Sequence, residues 1–209
     1  LPVEARPGGV RDLPGPVLGY FGLISDYVDL ELLAAAARRR PAWSFVLLGD
    51  VRCDTGVCTG LPNVHLLGAR PYAELPRYCR AFDVGLIPFR MNRLVRAVNP
   101  IKLREYLAAG LPVVSSPMPE VLRYASAVQT AETCDEFIAA TERALELGRQ
   151  TPRAARQALV ASESWAARVA QLAALVNGES APDADLPPIA APAGRFVADD
   201  AAPVAVVSR

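Results

Sequence analysis

The sequence predicts an α/β fold in which helices cover both faces of a parallel sheet. Short segments that are apolar throughout alternate with longer segments of helical character, and strands buried on both faces of a sheet have this continuous apolar pattern. Several of the apolar segments end in glycine, and a polar loop follows. The pattern is typical of a doubly wound, Rossmann-like sheet, whose ligand site lies beyond the carboxyl ends of the strands.

The predicted elements follow one another along the chain from residue 16 to residue 176. The predicted strands cover residues 16–22, 43–50, 63–68, 83–89, 111–115 and 126–130. The predicted helices cover residues 28–40, 71–82, 100–109, 132–148, 152–162 and 165–176, with a helical turn at 119–124. Because Pro76 interrupts the second helix, we expect two short pieces there. Ser25 or Asp26 is the expected N-cap of the first helix.

Composition predicts one globular domain with extensions at both ends. The chain has 209 residues, of which 52% are hydrophobic, enough to bury a sizeable core. Its formal net charge of zero gives no electrostatic reason to expect nucleic acid or an anionic membrane as a partner. We expect a linker at 1–15, a domain at 16–176, and a disordered Ala/Pro-rich tail at 177–209. Since the chain begins with Leu1 and lacks a signal-peptide pattern, we expect it to be part of a longer protein.

The cysteines offer no clear metal site. Cys53 and Cys58 enclose a short loop, Cys79 and Cys134 stand apart, and His65 is the only histidine, so a structural zinc site would lack ligands. We expect free thiols in a reducing cytosol, with a local disulfide between Cys53 and Cys58 as the alternative. His65 is interpreted as a strand residue and not as a catalytic base.

The stretch from Asn99 to Val114 contains the clearest candidate site. Asn99 is the expected N-cap of a helix with Pro100 at its first position, and Gly110 is expected to end that helix. Lys102 and Glu105 are three residues apart and therefore share one helix face. Because a helix N-terminus attracts anions, this pair would suit a phosphate joined to a sugar with free hydroxyl groups.

Six motifs in a fixed order carry a family resemblance. They are Gly-Tyr-Phe-Gly at 19–22, Trp-Ser-Phe-Val-Leu-Leu-Gly at 43–49, Leu-Pro-Asn-Val-His-Leu-Leu-Gly at 61–68, Tyr-Ala-Glu-Leu-Pro-Arg-Tyr at 72–78, Phe-Asp-Val-Gly-Leu-Ile-Pro-Phe at 82–89 and Asn-Pro-Ile-Lys-Leu-Arg-Glu-Tyr-Leu-Ala-Ala-Gly-Leu-Pro-Val-Val at 99–114. Over residues 16–176 the chain resembles the C-terminal, donor-binding half of a GT-B glycosyltransferase. It is most similar in character to bacterial teichuronic-acid and exopolysaccharide glycosyltransferases.

The resemblance implies residues that would hold a nucleoside diphosphate sugar of the UDP or GDP type. Glu105 matches the second acidic residue of the family pattern E-x7-E, which binds ribose hydroxyls. Lys102 matches the diphosphate-binding turn, where it would stabilise the leaving diphosphate. The main-chain amides around Asn99, Pro100 and Ile101 match the same turn. Lys102 is thus the candidate catalytic residue, and no metal ligand is expected.

The resemblance also implies how the whole enzyme is organised. The loop from Gly68 through Arg70 to Tyr72 matches the segment that lies against the base. A second Rossmann-like domain, absent from this chain, would hold a glycan or lipid-linked acceptor. The implied reaction is a retaining transfer without a metal or other cofactor, in a cytoplasmic enzyme that associates peripherally with a membrane when full length.

Two positions depart from the family pattern. Ala97 occupies the first acidic position of E-x7-E, where many relatives place a carboxylate that touches the donor sugar. The segment Leu23–Tyr27 lacks the Arg and Lys that many relatives carry after the first strand. We therefore expect Lys102, the helix end and either Arg90 or Arg93 to neutralise the diphosphate.

Three other functions compete with this interpretation. Asp50 follows a strand, as the phosphoacceptor of a response regulator does, but Gly22-Leu23 and Ser115-Ser116 stand where that class needs an acidic pair and a lysine. A non-catalytic nucleotide- or sugar-binding module stays open, as does a nucleotide-sugar epimerase of GT-B shape. A second βα pattern in the preceding coding sequence would favour the transferase over the module.

Overall fold

The computed structural model describes residues 7–177, which contain six strands and seven α-helices. The strands are β1 (Val17–Phe21), β2 (Ser44–Leu48), β3 (Val64–Gly68), β4 (Val84–Ile87), β5 (Val113–Ser115) and β6 (Val128–Thr130). The helices are α1 (Leu30–Arg39), α2 (Leu75–Ala81), α3 (Ile101–Ala108), α4 (Pro119–Leu122), α5 (Cys134–Gln150), α6 (Arg153–Ala158) and α7 (Trp165–Val176). Short 3₁₀ turns lie at Gly56–Cys58, Tyr72–Glu74, Val95–Ala97 and Ala161–Glu163.

The six strands form one parallel sheet in the order β3-β2-β1-β4-β5-β6. Every residue of the two central strands, β1 and β4, is buried, as continuous apolar segments require. Right-handed crossovers place α1 on one face and α2 with α3 on the other, and α5 returns to pack against α1. The predicted doubly wound sheet is confirmed. Its strand order reverses between β1 and β4, which is where ligands bind in such sheets.

The first helix begins later than its sequence suggested. Asp29 is the N-cap of α1, and its side chain accepts a hydrogen bond from the N–H of Leu32 at 3.0 Å. The expectation of a cap at Ser25 or Asp26 was wrong, because these residues lie in a turn closed by the hydrogen bond from the N–H of Val28 to the carbonyl of Ser25. Val28 then forms a β-bridge with Phe89, so the helix begins only after Asp29. The two short pieces predicted around Pro76 are confirmed as a 3₁₀ turn followed by α2.

Part of the predicted linker contributes to the core. Val10 is fully buried, and the hydroxyl of Ser44 donates a hydrogen bond to the carbonyl of Pro14 at 2.7 Å. The predicted disordered tail lies, beyond residue 177, outside the described residues. Between residues 7 and 177, no helix combines the length and the hydropathy that crossing a membrane requires.

Tyr106 fastens α3 to the centre of the sheet. Its hydroxyl accepts a hydrogen bond from the N–H of Phe21 at 3.2 Å and lies 3.1 Å from the carbonyl of Gly19 and 3.3 Å from that of Leu86. The pairing of β1 with β4 ends at Gly19, so the hydroxyl satisfies main-chain groups where the two strands part. A Cβ at Gly85 would lie 2.6 Å from the Tyr106 ring, so this glycine makes room for the side chain.

The Tyr106→Phe variant tests this attachment. Removing the hydroxyl leaves the buried N–H of Phe21 without its partner, which costs about 1–3 kcal/mol in the free energy of unfolding. Urea denaturation measures the loss. The matched control is Tyr27→Phe, because that hydroxyl makes an exposed bond to the carbonyl of Leu23, and its loss should change stability by no more than about 0.5 kcal/mol. Equal effects of the two substitutions would contradict the role given to Tyr106.

Candidate functional site

The candidate site lies where β1 and β4 end and α3 begins. Gly110, with a φ of +73°, follows the last turn of α3, which confirms it as the residue that ends this helix. At the start of the helix, Pro100 is the N-cap and is extended (φ −76°, ψ 108°), and no side chain caps the first turn. In the described part of the chain, the N–H groups of Ile101 and Lys102 bond no acceptor. Two donors at the positive end of the helix are therefore left for a ligand.

Asn99 does not cap the helix, contrary to the sequence-based expectation. Its Oδ1 accepts a hydrogen bond from Nη1 of Arg104 at 2.5 Å, and the extended Pro100 takes the N-cap position instead. The side chain of Ile101 is 68% exposed and therefore takes no part in the core. The segment 99–101 therefore contributes main-chain N–H groups to the site, whereas the side-chain amide of Asn99 is directed towards Arg104.

Lys102 is a partly buried cation that forms no ion pair with the residues the structure describes. Its Nζ lies 5.0 Å from the ring centroid of Tyr20 and 4.8 Å from that of Phe89. Within residues 7–177, no carboxylate lies within 4 Å of it. Burial lowers the pKa of Lys102 to about 8, and the negative charge of Glu105 offsets part of that effect. The two aromatic faces stabilise the ammonium, but a nearby anion would stabilise it far more.

Glu105 faces a pocket between α2 and α3 with a volume of about 560 Å³. The hydroxyl of Tyr72 donates a hydrogen bond to Oε1 of Glu105 at 2.8 Å, and this bond raises the pKa of Tyr72. Among the described residues, Oε2 of Glu105 accepts no hydrogen bond. Cys79 also lines the pocket, and burial raises the pKa of its thiol to about 12, so it stays neutral. The free carboxylate oxygen is thus the polar group that this pocket offers to a hydroxyl donor.

Arg70 lines a smaller cleft of about 230 Å³ beyond the ends of β1 and β2. Its Nε donates a hydrogen bond to the hydroxyl of Tyr78 at 3.1 Å, which fixes the guanidinium at the rim. This cleft and the Glu105 pocket share Phe21 and Leu75 in their walls. Arg70, Tyr72 and Glu105 therefore surround a depression made of these two adjoining pockets.

The ends of β1 and β2 approach each other closely beneath this depression. A Cβ at Gly49 would lie 1.8 Å from the carbonyl oxygen of Gly22, so only glycine fits after β2. The Gly-ended strands noticed in the sequence are explained here by the close contact of two loops at the site's floor.

Arg90 lies apart from the residues just described. Its Nη2 is 3.9 Å from Oδ1 of Asp29, and it lines a separate pocket of about 410 Å³ with Asp26 and Asp54. The structure therefore brings together Lys102, Glu105, Arg70, Tyr72 and the first turn of α3, but it does not place Arg90 with them.

Two aromatic residues that contact the ammonium of Lys102 were not among the residues predicted for the site. Tyr20 and Phe89 lie in buried apolar segments, and such a segment does not reveal which of its aromatic rings faces a charged group. Lys102 also borders an apolar pocket of about 320 Å³ with Tyr27, Phe89 and Leu94. The described part of the chain contains no group of three or more His, Cys, Asp or Glu side chains arranged to hold a metal ion.

The site's groups follow one another along α3. From the C-terminal end of α3 towards its start, the Glu105 pocket is followed by the ammonium of Lys102 and by the two N–H groups that are unpaired in the described structure. The apolar pocket lies beyond them. Chemically, this arrangement can hold an anion at its centre, with a hydroxyl-bearing group on one side and a less polar group on the other.

The sequence and the fold of this chain are similar to those of known proteins. Residues 15–147 match the sequence profile of the family described as glycosyl transferases group 1. A protein of Bacillus subtilis (strain 168), TuaH, is 31% identical over 160 residues, which cover 72% of this chain and 40% of TuaH. TuaH is provisionally named as a teichuronic acid biosynthesis glycosyltransferase. The chain thus spans less than half the length of this relative.

Solved structures share the fold. A sucrose-phosphate synthase from Thermosynechococcus elongatus matches with a TM-score of 0.61 and 19% identity, covering 84% of this chain and 51% of that one. TarM of S. aureus, solved as a point mutant in complex with UDP, matches with a TM-score of 0.59 and 14% identity, covering 78% and 35%. HepE of Anabaena, solved with UDP and glucose, matches with a TM-score of 0.53 and 19% identity, covering 81% and 50%.

These matches confirm the resemblance to one half of a GT-B glycosyltransferase that the motifs indicated. The family profile covers more than half of the chain, including β1 to β6 and the whole of α3. The chain belongs to the glycosyl transferases group 1 family.

Proposed function

We propose that this chain is the donor-binding half of a glycosyltransferase that takes its sugar from a nucleoside diphosphate sugar. The acceptor would be a glycan or a lipid-linked glycan in cell-surface polysaccharide synthesis. The observation that carries the proposal is Lys102, a partly buried ammonium that forms no ion pair in the described structure and lies beside two free N–H groups. The name of TuaH and the UDP in the HepE and TarM structures support the same class of donor.

The diphosphate would bind at the first turn of α3. Negative charge grows on the departing diphosphate as the glycosidic bond to the donor breaks, and fixed donors that face this charge lower the barrier. Lys102 Nζ and the N–H groups of Ile101 and Lys102 are such donors, and they require no metal ion. The Asn99 and Pro100 part of the turn would shape the backbone around the phosphates. Arg90 would have to leave Asp29 to take part, so we assign the diphosphate to Lys102 and α3.

The nucleoside would occupy the depression around Glu105. Oε2 of Glu105 is free to accept hydrogen bonds from the ribose hydroxyls, while Tyr72 holds Oε1. Arg70 and the exposed ring of Tyr72 lie at the rim of this depression, where a base could stack on them. The donor sugar would then extend past Lys102 towards the apolar pocket.

The remaining parts of the reaction belong to the longer protein. The chain corresponds to 40% of its relative, and we propose that a preceding domain supplies the acceptor site and the remaining catalytic groups. We further propose a retaining transfer in the cytoplasm, with peripheral membrane association of the full-length enzyme. On this view the isolated chain binds nucleotide weakly and does not transfer sugar.

Glu105→Ala tests the nucleoside assignment. Losing the carboxylate removes two hydrogen bonds to the ribose, which should cost about 2–4 kcal/mol of binding free energy. Isothermal titration of the 209-residue chain with UDP, GDP and ADP measures it. Glu142→Ala is the control, because Glu142 pairs with Arg40 on the exposed surface of α5. The assignment fails if none of the three nucleotides binds or if Glu105→Ala binds as tightly as the parent chain.

Lys102→Met is expected to lose nucleotide binding and to gain stability. The fall of the Lys102 pKa from 10.5 to about 8 means that burying its charge lowers the free energy of unfolding by at most about 3 kcal/mol. Cation–π attraction offsets about 1 kcal/mol of this cost. The melting temperature at pH 7 should rise by about 2–8 °C. The folded pKa is the lower one, so this cost is fully present below pH 8 and fades as the pH nears 10.5, and the gain should fade with it. A variant that is less stable and binds normally would refute both expectations.

The low pKa of Lys102 predicts that nucleotide binding depends on pH. Only the protonated ammonium attracts the diphosphate, and the bound anion raises the pKa of Lys102 above its value of about 8 in the free protein. Affinity should therefore fall about tenfold between pH 7 and pH 9, with proton uptake on binding. Titrations in two buffers of different ionisation enthalpy detect the uptake. Residual binding by Lys102→Met should show neither effect, and a flat profile for the parent chain would exclude Lys102 as the phosphate ligand.

A further inference from the structure

A network of charged and polar side chains lies behind the first turn of α3, and the proposed function leaves it unused. Arg104 is at its centre. Its Nε is 2.6 Å from Oε2 of Glu163, its Nη2 is 2.6 Å from Oε1 of Glu120, and its Nη1 donates to Oδ1 of Asn99 at 2.5 Å. The guanidinium carbon also lies 5.9 Å from the ring centroid of Tyr124. All the donor-bearing nitrogens of this arginine thus have a partner.

The network holds Arg104 in one orientation because most of it is shielded from water. The side chain of Glu163 is 5% exposed, that of Glu120 17% and that of Arg104 21%. Tyr124 donates a hydrogen bond to the second carboxylate oxygen of Glu163, and the ion pairing and hydrogen bonds lower the pKa of Glu163 even though its burial opposes this. Removing one partner of such a shielded pair leaves an uncompensated charge, so the arrangement resists change.

Because Arg104 is held in one orientation, it determines which group the Asn99 side chain binds. Asparagine side chains readily accept hydrogen bonds from main-chain N–H groups a few residues away, and Asn99 directly precedes the N-cap of α3. If its amide were free to rotate, it would compete with any anion for those donors. Bound to Arg104, it is held aside, and the N–H groups of Ile101 and Lys102 stay unpaired in the described structure.

We propose that Arg104 is a positioning residue for the donor diphosphate. It withdraws the Asn99 side chain from the first turn of α3, and through Glu163 it ties that turn to the C-terminal segment of residues 161–176. This inference rests on the proposed function, since it assumes that the first turn binds a nucleoside diphosphate. It assigns an influence on donor affinity to Glu163, which does not line any of the pockets around Lys102, Glu105 or Arg70.

The test is a set of UDP and GDP titrations of the 209-residue chain, with melting temperatures measured in parallel. Arg104→Met should weaken binding about tenfold, because the released Asn99 amide then occupies the donors. Adding Asn99→Ala to Arg104→Met should restore affinity to within about threefold of the parent chain, since the competitor is gone. Arg40→Met is the control: it breaks an exposed ion pair with Glu142 and should change neither affinity nor, by much, stability.

The influence of the C-terminal segment has its own variant. Glu163→Gln keeps the size of the side chain but removes its charge, so Arg104 loses its strongest anchor, and UDP affinity should fall about threefold. If Arg104→Met does not fold, Arg104→Lys takes its place, because lysine keeps the charge but cannot bond three partners in the same geometry.

The outcomes separate the possible roles of the network. A lower melting temperature for Arg104→Met with unchanged affinity would show a purely structural role and overturn the inference. Failure of Asn99→Ala to restore binding would overturn the withdrawal of Asn99. Unchanged affinity in Glu163→Gln would overturn the link to residues 161–176. A parent chain that binds neither nucleotide would overturn the proposed function, and the inference with it.

Discussion

The position of α3 on the sheet is the constraint on which the site depends, and Tyr106 sets it. The phenol hydroxyl occupies the point where β1 and β4 part, and it replaces the ladder hydrogen bond that the diverging strands lose. Lys102 lies one turn before Tyr106 and Glu105 directly precedes it, so the same anchor fixes both charged groups relative to the strand ends. The packing of Tyr106 in the core therefore also determines the geometry of the site. Gly85 contributes to both because it leaves room for the Tyr106 ring.

The electrostatics of α3 differ from those of the other long helices. The helices α1, α5 and α7 each begin with a side-chain cap, from Asp29, Thr133 and Ser164 respectively, whereas α3 begins with none. Its first turn also carries a cation that lacks an anion in the described structure. Each feature costs stability, and proteins retain such costs chiefly where a ligand offsets them. The two defects coincide at one helix end, and a diphosphate would relieve both.

The parts of this structure that local sequence patterns determine could be predicted. The buried strands and the end of α3 at Gly110 follow from neighbouring residues. The hydrogen bond of Asn99 to Arg104 could not be predicted in this way, because Arg104 is held by Glu163, 59 residues further along the chain. The cap of α1 was misplaced for the same kind of reason, since Val28 pairs with Phe89 and the N–H of Asp29 bonds the carbonyl of Pro88, about sixty residues further along the chain. Side-chain orientation at the site is a tertiary property.

On the proposed function, the described residues neutralise only part of the charge of a nucleoside diphosphate sugar. Each phosphate of a sugar diphosphate carries a negative charge, while the first turn of α3 offers one ammonium and a helix end equivalent to about half a positive charge. Arg70 lies away from this turn, in the cleft beyond the ends of β1 and β2. Asp29 holds Arg90 away from the site, and the loop after β1 supplies no cation. On the proposed function, the preceding domain would meet the unbalanced charge from across the cleft. Donor affinity would then depend on closure of the two halves, which would couple tight donor binding to the presence of the acceptor site.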